Sequence, residues 1–415
     1  MSPTGCKRIG CAREVSLGLK EGAGRGILAA SHGGIGVEPA GAWGRAKDRF
    51  QLWAWRHYVD LEFTHPRLSY LFWEATLGCN LACRHCGSDC HRSSDLSNEL
   101  SGEEVFAALE QVAKDFGARK VFLAVTGGEP LVRPDLFDVM GRVAALGFPW
   151  GMVSNGWAVD DRVVQASRKA CMRTLVISLD GATRESHDWL RGAGSFDRAV
   201  EAIERYRRAG FLKGLQVTTT IHRRNVGEMQ AMFDDLVRRG VRDWRVVSVF
   251  PNGRARRQDD FLLQPSELKG LLDFVRDKRL HPRPMKVSYG DEGYLGCGYE
   301  RRVRDFYFEC LAGVRIASIL ADGGISGCPN IPRSLVQGNV RQRSVKDVWE
   351  HGFGKYRDRS WMRQGACAAC RDFGICKGNS MHLWDAETGG PKLCHVDMLR
   401  RAREEEARER GGTPC

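Results

Sequence analysis

The sequence predicts an α/β fold, a partial (β/α)6 TIM-like barrel followed by a small cysteine-rich domain. Three observations carry this. Six short apolar runs alternate with amphipathic segments up to about residue 285. Beyond that point the pattern breaks into short segments rich in glycine and cysteine. The cysteines that follow the first run and those near the C-terminus fall into two spaced arrays.

The chain of 415 residues has room for two or three domains. Hydrophobic residues make up 42% and charged residues 27%, ordinary globular usage that excludes wholesale disorder and fibrous repeats. No uncharged apolar run approaches the length of a membrane span and no signal-peptide pattern opens the chain, so a cytoplasmic protein is expected. The net charge of +12 is scattered. Clusters such as Arg254, Arg256 and Arg257, or Arg301, Arg302 and Arg304, read as solvated faces, and no nucleic-acid partner is expected. Fifteen cysteines, an odd number, without an export signal point to metal or cluster ligation rather than disulfides.

Residues 1–45 are glycine-rich and read as a flexible tail or a misassigned start, with Cys6 and Cys11 given no role. Spacing of Phe50, Trp53, Ala54 and His57 predicts a helix over 43–58 leading into the fold. Strands are expected at 70–76, 120–126, 151–154, 174–179, 215–221 and 244–250. Val105, Leu109, Val112 and Phe116 share one helical face behind a capping box of Ser101 and Glu104. A second helix starts at Ser195, turns Phe196, Ala199, Val200 and Ile203 inward and stops at Gly210. Residues 225–239 and 266–279 supply two more. Such alternation implies right-handed parallel crossovers, with chemistry at the C-terminal strand ends. The domains expected are the tail 1–45, the barrel 46–285, a cluster-bearing domain 286–398 and a charged tail 399–415.

Cys79, Cys83 and Cys86 form C-x3-C-x2-C directly after the first strand. Three thiolates hold three irons of a [4Fe-4S] cluster and leave the fourth open to an exogenous ligand. A zinc site with His85 or Cys90 as fourth ligand stays open on spacing alone.

This motif resembles the signature of the radical S-adenosylmethionine (SAM) superfamily, with His85 at its aromatic position. The resemblance continues through the barrel. It implies that Gly127, Gly128 and Glu129, in Thr126-Gly-Gly-Glu-Pro130, hold the methionine amino group, the glycines allowing close backbone approach to the ligand. It also implies that Ser154, Asn155, Ser178, Asp180 and Arg191 meet the SAM ribose and carboxylate, and that Asn225 helps to enclose the adenosine. The implied reaction is reductive cleavage of SAM to a 5′-deoxyadenosyl radical that removes a substrate hydrogen atom.

Farther on, Cys310 and Cys328 flank Gly323, and Cys367, Cys370, Cys376 and Cys394 supply four thiolates, a metal-binding array in its own right. The array resembles the SPASM domain, as does the stretch from Gln337 to Trp349, and implies one or two auxiliary iron–sulfur clusters. By that resemblance Cys367, Cys370, Cys376 and Cys394 hold the outer cluster, while Cys310, Cys328 and Cys297 remain for the inner one. Ser380 stands where the pattern has a cysteine, so the inner cluster either has an open iron or is absent or smaller. Ser380 or His382 is a candidate replacement ligand, against a plain turn-forming role. Cys90 and Cys171 read as buried or bystander thiols.

SPASM-bearing radical enzymes mostly modify peptides or proteins, so a peptide or protein substrate is expected, a small lipoprotein among the candidates, with a flavodoxin- or ferredoxin-type electron donor. A small-molecule dehydrogenase and a non-catalytic iron–sulfur or zinc protein are the alternatives. Sulfatase maturation is disfavoured, because Pro329 follows Cys328 where those enzymes place an aspartate. Tyr289, Asp291, Glu292 and Tyr294 are candidate substrate-facing residues, against a solvated linker.

Overall fold

In a computed structural model of the chain, residues 42–410 are described, apart from 259, 282, 283, 291, 292 and 297. Cys6, Cys11, Cys297, Asp291 and Glu292 therefore lie outside the described residues, as does most of the tail 1–45.

Helix α1 (Ala42–Thr64) leads into β1 (Tyr70–Glu74). Then follow α2 (Gly102–Val112), β2 (Phe122–Thr126), α3 (Leu136–Ala145), β3 (Trp150–Ser154), α4 (Asp161–Lys169) and β4 (Thr174–Ser178). Next come α5 (Arg184–Arg191), α6 (Ser195–Ala209), β5 (Gly214–Ile221), α7 (Met229–Arg238), β6 (Asp243–Ser248) and α8 (Pro265–Leu280). Strands β1 to β6 pair in parallel and in sequence order, the partial barrel that the alternation predicts. Their cores are apolar runs such as Leu123, Ala124 and Val125, buried on both faces because helices cover the sheet. The expected capping box of α2 is present, and Val105, Leu109 and Val112 are buried beneath it.

Beyond the expected six, two further parallel strands join the barrel sheet. β7 (Lys286–Tyr289) pairs in parallel with β6. β8 (Ile316–Ile319) pairs in parallel with β1, so part of the chain assigned to the second domain completes the barrel sheet on both edges. β9 (Gly324–Ser326) and β10 (Gly338–Asn339) extend that sheet antiparallel. The cysteine-rich remainder carries α9 (Val345–His351), α10 (Gly354–Arg357) and α11 (Phe373–Cys376). A two-stranded ribbon, β11 (Trp384–Asp385) and β12 (Gly390–Pro391), precedes α12 (His395–Glu409).

The expected helix at 43–58 is α1, but Phe50 and Trp53 lie on its exposed side. It is anchored by Val59, by Glu62 paired with Arg315, and by Trp55 against Tyr307. Among the described residues no helix is long and apolar enough to cross a membrane.

Two arginines read as solvated are not. Arg304 is fully buried, donating to the carbonyls of Gly290 and Gly293 and pairing with buried Glu300, because the connection after β7 turns its carbonyls inward. Arg254 is described with the site below. Tyr289 and Tyr294 are buried packing residues, neither a solvated linker nor an open face.

Candidate active site and cluster sites

Cys79, Cys83 and Cys86 lie on the loop after β1. Cys79 and Cys83 are buried and Cys86 half-buried, in a small cluster with Leu81 and Cys90. Burial pushes the Cys79 thiol up to about 11, and the charges of Cys83, Glu129 and Cys86 add to the effect despite the Leu81 amide. Burial also raises Cys83, against the pull of Arg191. Thiolates that oppose one another's ionisation are relieved by a cationic group among them, so the donor set fits a cluster. Among the described residues no three metal-ligating side chains converge on a point suited to one ion. A [4Fe-4S] cluster does not require this, since each thiolate takes a separate iron.

The glycine pair after β2 packs closely on the loop that follows β1. A Cβ on Gly127 (φ +131°) would lie 2.4 Å from the Thr76 carbonyl oxygen, and one on Gly128 2.1 Å from that of Gly78. The Gly128 amide donates to Thr76 O (2.7 Å) and the Glu129 amide to Gly78 O (2.9 Å). Both glycines thus let β2 lie against the cluster loop itself.

Glu129 is fully buried. Its carboxylate accepts from Ser154 Oγ (2.9 Å), the Asn155 amide (2.7 Å) and the Leu131 amide (3.2 Å). Burial still lifts its pKa above the ordinary range, these hydrogen bonds notwithstanding. Asn155 Nδ2 donates to Asn80 Oδ1 (2.8 Å) and lies 4.0 Å from Cys79 Sγ. The ends of β2 and β3 are therefore tied to each other and to the cluster loop.

Asp180, after β4, is the second hub. Its carboxylate accepts from Arg191 Nε (2.5 Å) and the Thr220 amide (2.8 Å), and His85 Nε2 lies 3.5 Å away. Burial opposes its ionisation, but Arg191, His85 and His187 with the Thr220 amide outweigh it and hold the carboxyl at about 2. Arg191 Nη1 reaches to 3.9 Å from Cys83 Sγ. Burial drives His85 down to about 3 despite Asp180, so its ring is neutral, with Nδ1 buried and unpartnered. Ser178 is half-buried at the end of β4. Asn225 is tied by Nδ2 to the carbonyls of Asp180 and Thr220.

Sequence reasoning missed two residues here. His222, just past β5, is buried with Nε2 unpartnered, and burial lowers it to about 4. Arg254 clamps the cluster loop. Its Nε donates to Cys83 O (2.6 Å), both Nη atoms reach Cys90 O (3.1 Å each), and Nη1 pairs with Asp89 (2.9 Å). A basic triplet carries no sign that carbonyls of a distant loop await one of its members.

In the C-terminal part Cys367, Cys370, Cys376 and Cys394 come together. Burial raises Cys376 to about 12, with Cys394, Cys367 and Cys370 adding to the shift. Cys367 and Cys370 pack on Met362, Phe373 and Trp384. Cys310 and Cys328 form a separate pair, with Cys328 raised to about 12 by burial and then by Cys310 and Glu74. Ser380 is buried with its hydroxyl unpartnered, and His382 Nε2 is likewise unpartnered. The turn before Ser380 has positive φ at Lys377, Gly378 and Asn379. Cys90 is buried and Cys171 exposed.

The Radical SAM superfamily profile matches residues 73–236, and that of SPASM, an iron–sulfur cluster-binding domain, matches 310–372. An AdoMet-dependent heme synthase of Methanosarcina barkeri is 29% identical over 329 residues, 75% of this chain and 90% of that protein. Mycofactocin maturase MftC of Mycobacterium tuberculosis is 28% identical over 323 residues, 75% of this chain and 78% of that one. In fold, the chain is similar to Streptococcus suis SuiB bound to the precursor peptide SuiA, with a TM-score of 0.61 at 16% identity over 85% of this chain and 80% of that one.

Proposed function

From the premise that this chain is a radical SAM enzyme carrying an SPASM domain, with a [4Fe-4S] cluster, SAM and auxiliary iron–sulfur clusters as cofactors, we propose that it abstracts a hydrogen atom from a peptide or protein during its maturation. The observation that carries the chemistry is the placing of Cys79, Cys83 and Cys86 in one small cluster beside the buried hubs Glu129 and Asp180. When bound, the reduced cluster and SAM supply a 5′-deoxyadenosyl radical.

The chain's own residues do the rest. Cys79, Cys83 and Cys86 each give one thiolate. Gly127 and Gly128 seat the loop on β2, and Glu129 with Ser154 and Asn155 forms the polar floor for the methionine end. Asp180 and Arg191 form the wall for ribose and carboxylate, with His85 neutral beside them. Burial of these groups keeps water from the radical. Cys367, Cys370, Cys376 and Cys394 hold the outer auxiliary cluster and Cys310 and Cys328 the inner one. A flavodoxin- or ferredoxin-type protein is the electron donor.

A peptide substrate is supported by the maturase among the relatives. A second reading, a small-molecule substrate, is favoured by the heme synthase, whose match covers 90% of its length. The test is 5′-deoxyadenosine formation by anaerobically reconstituted, chemically reduced protein, against a variant with Cys79, Cys83 and Cys86 replaced by Ala. Product from the wild type alone is expected, and none from an iron-loaded wild type would overturn the reading. Stimulation by the polypeptide fraction of a cell extract, rather than the small-molecule fraction, separates the two substrates.

A further inference from the structure

The segment 250–254, between β6 and α8, is wedged between two loops that belong to different cysteine arrays. On one side it lies flush on the cluster loop. A Cβ at Gly253 (φ +53°) would sit 2.3 Å from Cys86 O and 2.5 Å from Gly87 O. The Arg254 amide donates to Cys86 O (2.9 Å), and its guanidinium grips Cys83 O, Cys90 O and Asp89. Asp89 itself has φ of +53°, a strained backbone that such a grip sustains.

On the other side the segment meets the stretch between Cys376 and Cys394. Asn252 Nδ2 donates to His382 O (2.9 Å), and Lys392 Nζ donates to Asn252 Oδ1 (2.7 Å). The Phe250 ring lies 4.7 Å from that of His382, and a Cβ at Gly87 would be 3.2 Å from the same phenyl ring. Asn252 has both halves of its amide committed to the C-terminal loop. Arg254, two residues on, has its guanidinium committed to the cluster loop.

We propose that Asn252 and Arg254 are positioning residues of one strap, through which the seating of the 376–394 loop sets the geometry of the loop that carries Cys83 and Cys86. The strap's role in SAM binding rests on the function proposed above, but the mechanical coupling does not. Side-chain amides with two fixed partners transmit displacement because neither hydrogen bond can be kept if one loop moves alone.

The test uses the full chain with Lys392→Met and Asn252→Ala. Lys392 is half-buried on the C-terminal loop, and its ammonium donates to Asn252. The first readout is amide hydrogen exchange of residues 83–91, measured with and without reconstituted clusters. Exchange there should rise about tenfold in Lys392→Met, the order expected for one lost charge-assisted hydrogen bond, and at least as much in Asn252→Ala, which also loses the bond to His382 O, while β2 to β4 stay as in the wild type. The second is the electron paramagnetic resonance spectrum of the reduced SAM cluster, whose change on adding SAM should differ from wild type at equal iron content. Wild-type exchange at 83–91 in both variants would overturn the proposal, as would a rise spread evenly over the barrel. A wild-type protein that takes up iron but cleaves no SAM would instead overturn the proposed function and leave the exchange result to decide the coupling.

Discussion

His85 Nε2 lies 3.5 Å from Asp180 Oδ2, although one residue sits in the cluster loop and the other at the end of β4. The same carboxylate holds Arg191, which reaches Cys83. One buried charge therefore organises both neighbours of the cluster motif. Asp180→Asn leaves the Arg191 guanidinium buried without a counter-charge, which costs about 3–5 kcal/mol. Adding Arg191→Met should restore a large part of that loss. Urea unfolding of the cluster-free proteins reads this, and a loss under about 1 kcal/mol in the single variant would show that the pair is not the hub described.

Gly128→Ala places a methyl group against the Gly78 carbonyl, so one backbone must move. About 1–3 kcal/mol of destabilisation is expected for such overpacking, together with less iron per chain after reconstitution. Gly270→Ala, inside α8 with open space around it, is the control and should stabilise by about 0.5–1 kcal/mol. Equal iron content in the two variants would contradict the close seating of loop on strand.

His187 accepts the Asp180 amide at Nδ1 (3.0 Å), and burial, then Arg191, lowers its pKa to about 4. Between about pH 6.5 and 4 the unfolded chain binds a proton that the folded chain does not, so this contribution to stability is full above about 6.5 and falls as pH drops. The slope is about 1.4 kcal/mol per pH unit. His187→Asn should flatten the pH dependence of unfolding by that amount over this window. An unchanged slope would mean that the ring is protonated in the fold.

Ser380 has a buried hydroxyl without a partner. Ser380→Ala removes that unmet group and should leave the cluster-free protein unchanged or about 1 kcal/mol more stable. Iron per chain after reconstitution then decides its role: loss of iron in the variant marks Ser380 as a ligand, and unchanged iron marks it as a turn residue.

Much of this was legible in the sequence. Strands β1 to β6 were visible because parallel strands covered on both faces are continuous apolar runs, and α2 because Ser101 and Glu104 are a local signal. The order of Cys79, Gly127, Ser154 and Asp180 after successive strands was legible for the same reason. The features without a local signal depend on distant partners. β7 and β8 are four residues long, too short for periodicity. Arg254 and Arg304 look like any surface arginine until carbonyls from another part of the chain surround them. Phe50 and Trp53 have helical spacing but face outward, since spacing fixes a stripe and not the side the core takes.

The pairing of β8 with β1 also bears on how the chain folds. Tyr70 finds Ile316 as its neighbour, so one edge of the central sheet stays open until a strand far along the chain has been made. Such distant pairing slows folding and leaves a strand edge exposed to other chains meanwhile. A truncation ending after α8 would keep Cys79, Cys83 and Cys86 yet present bare edges on β1 and β6, and it should aggregate rather than serve as a minimal catalytic fragment.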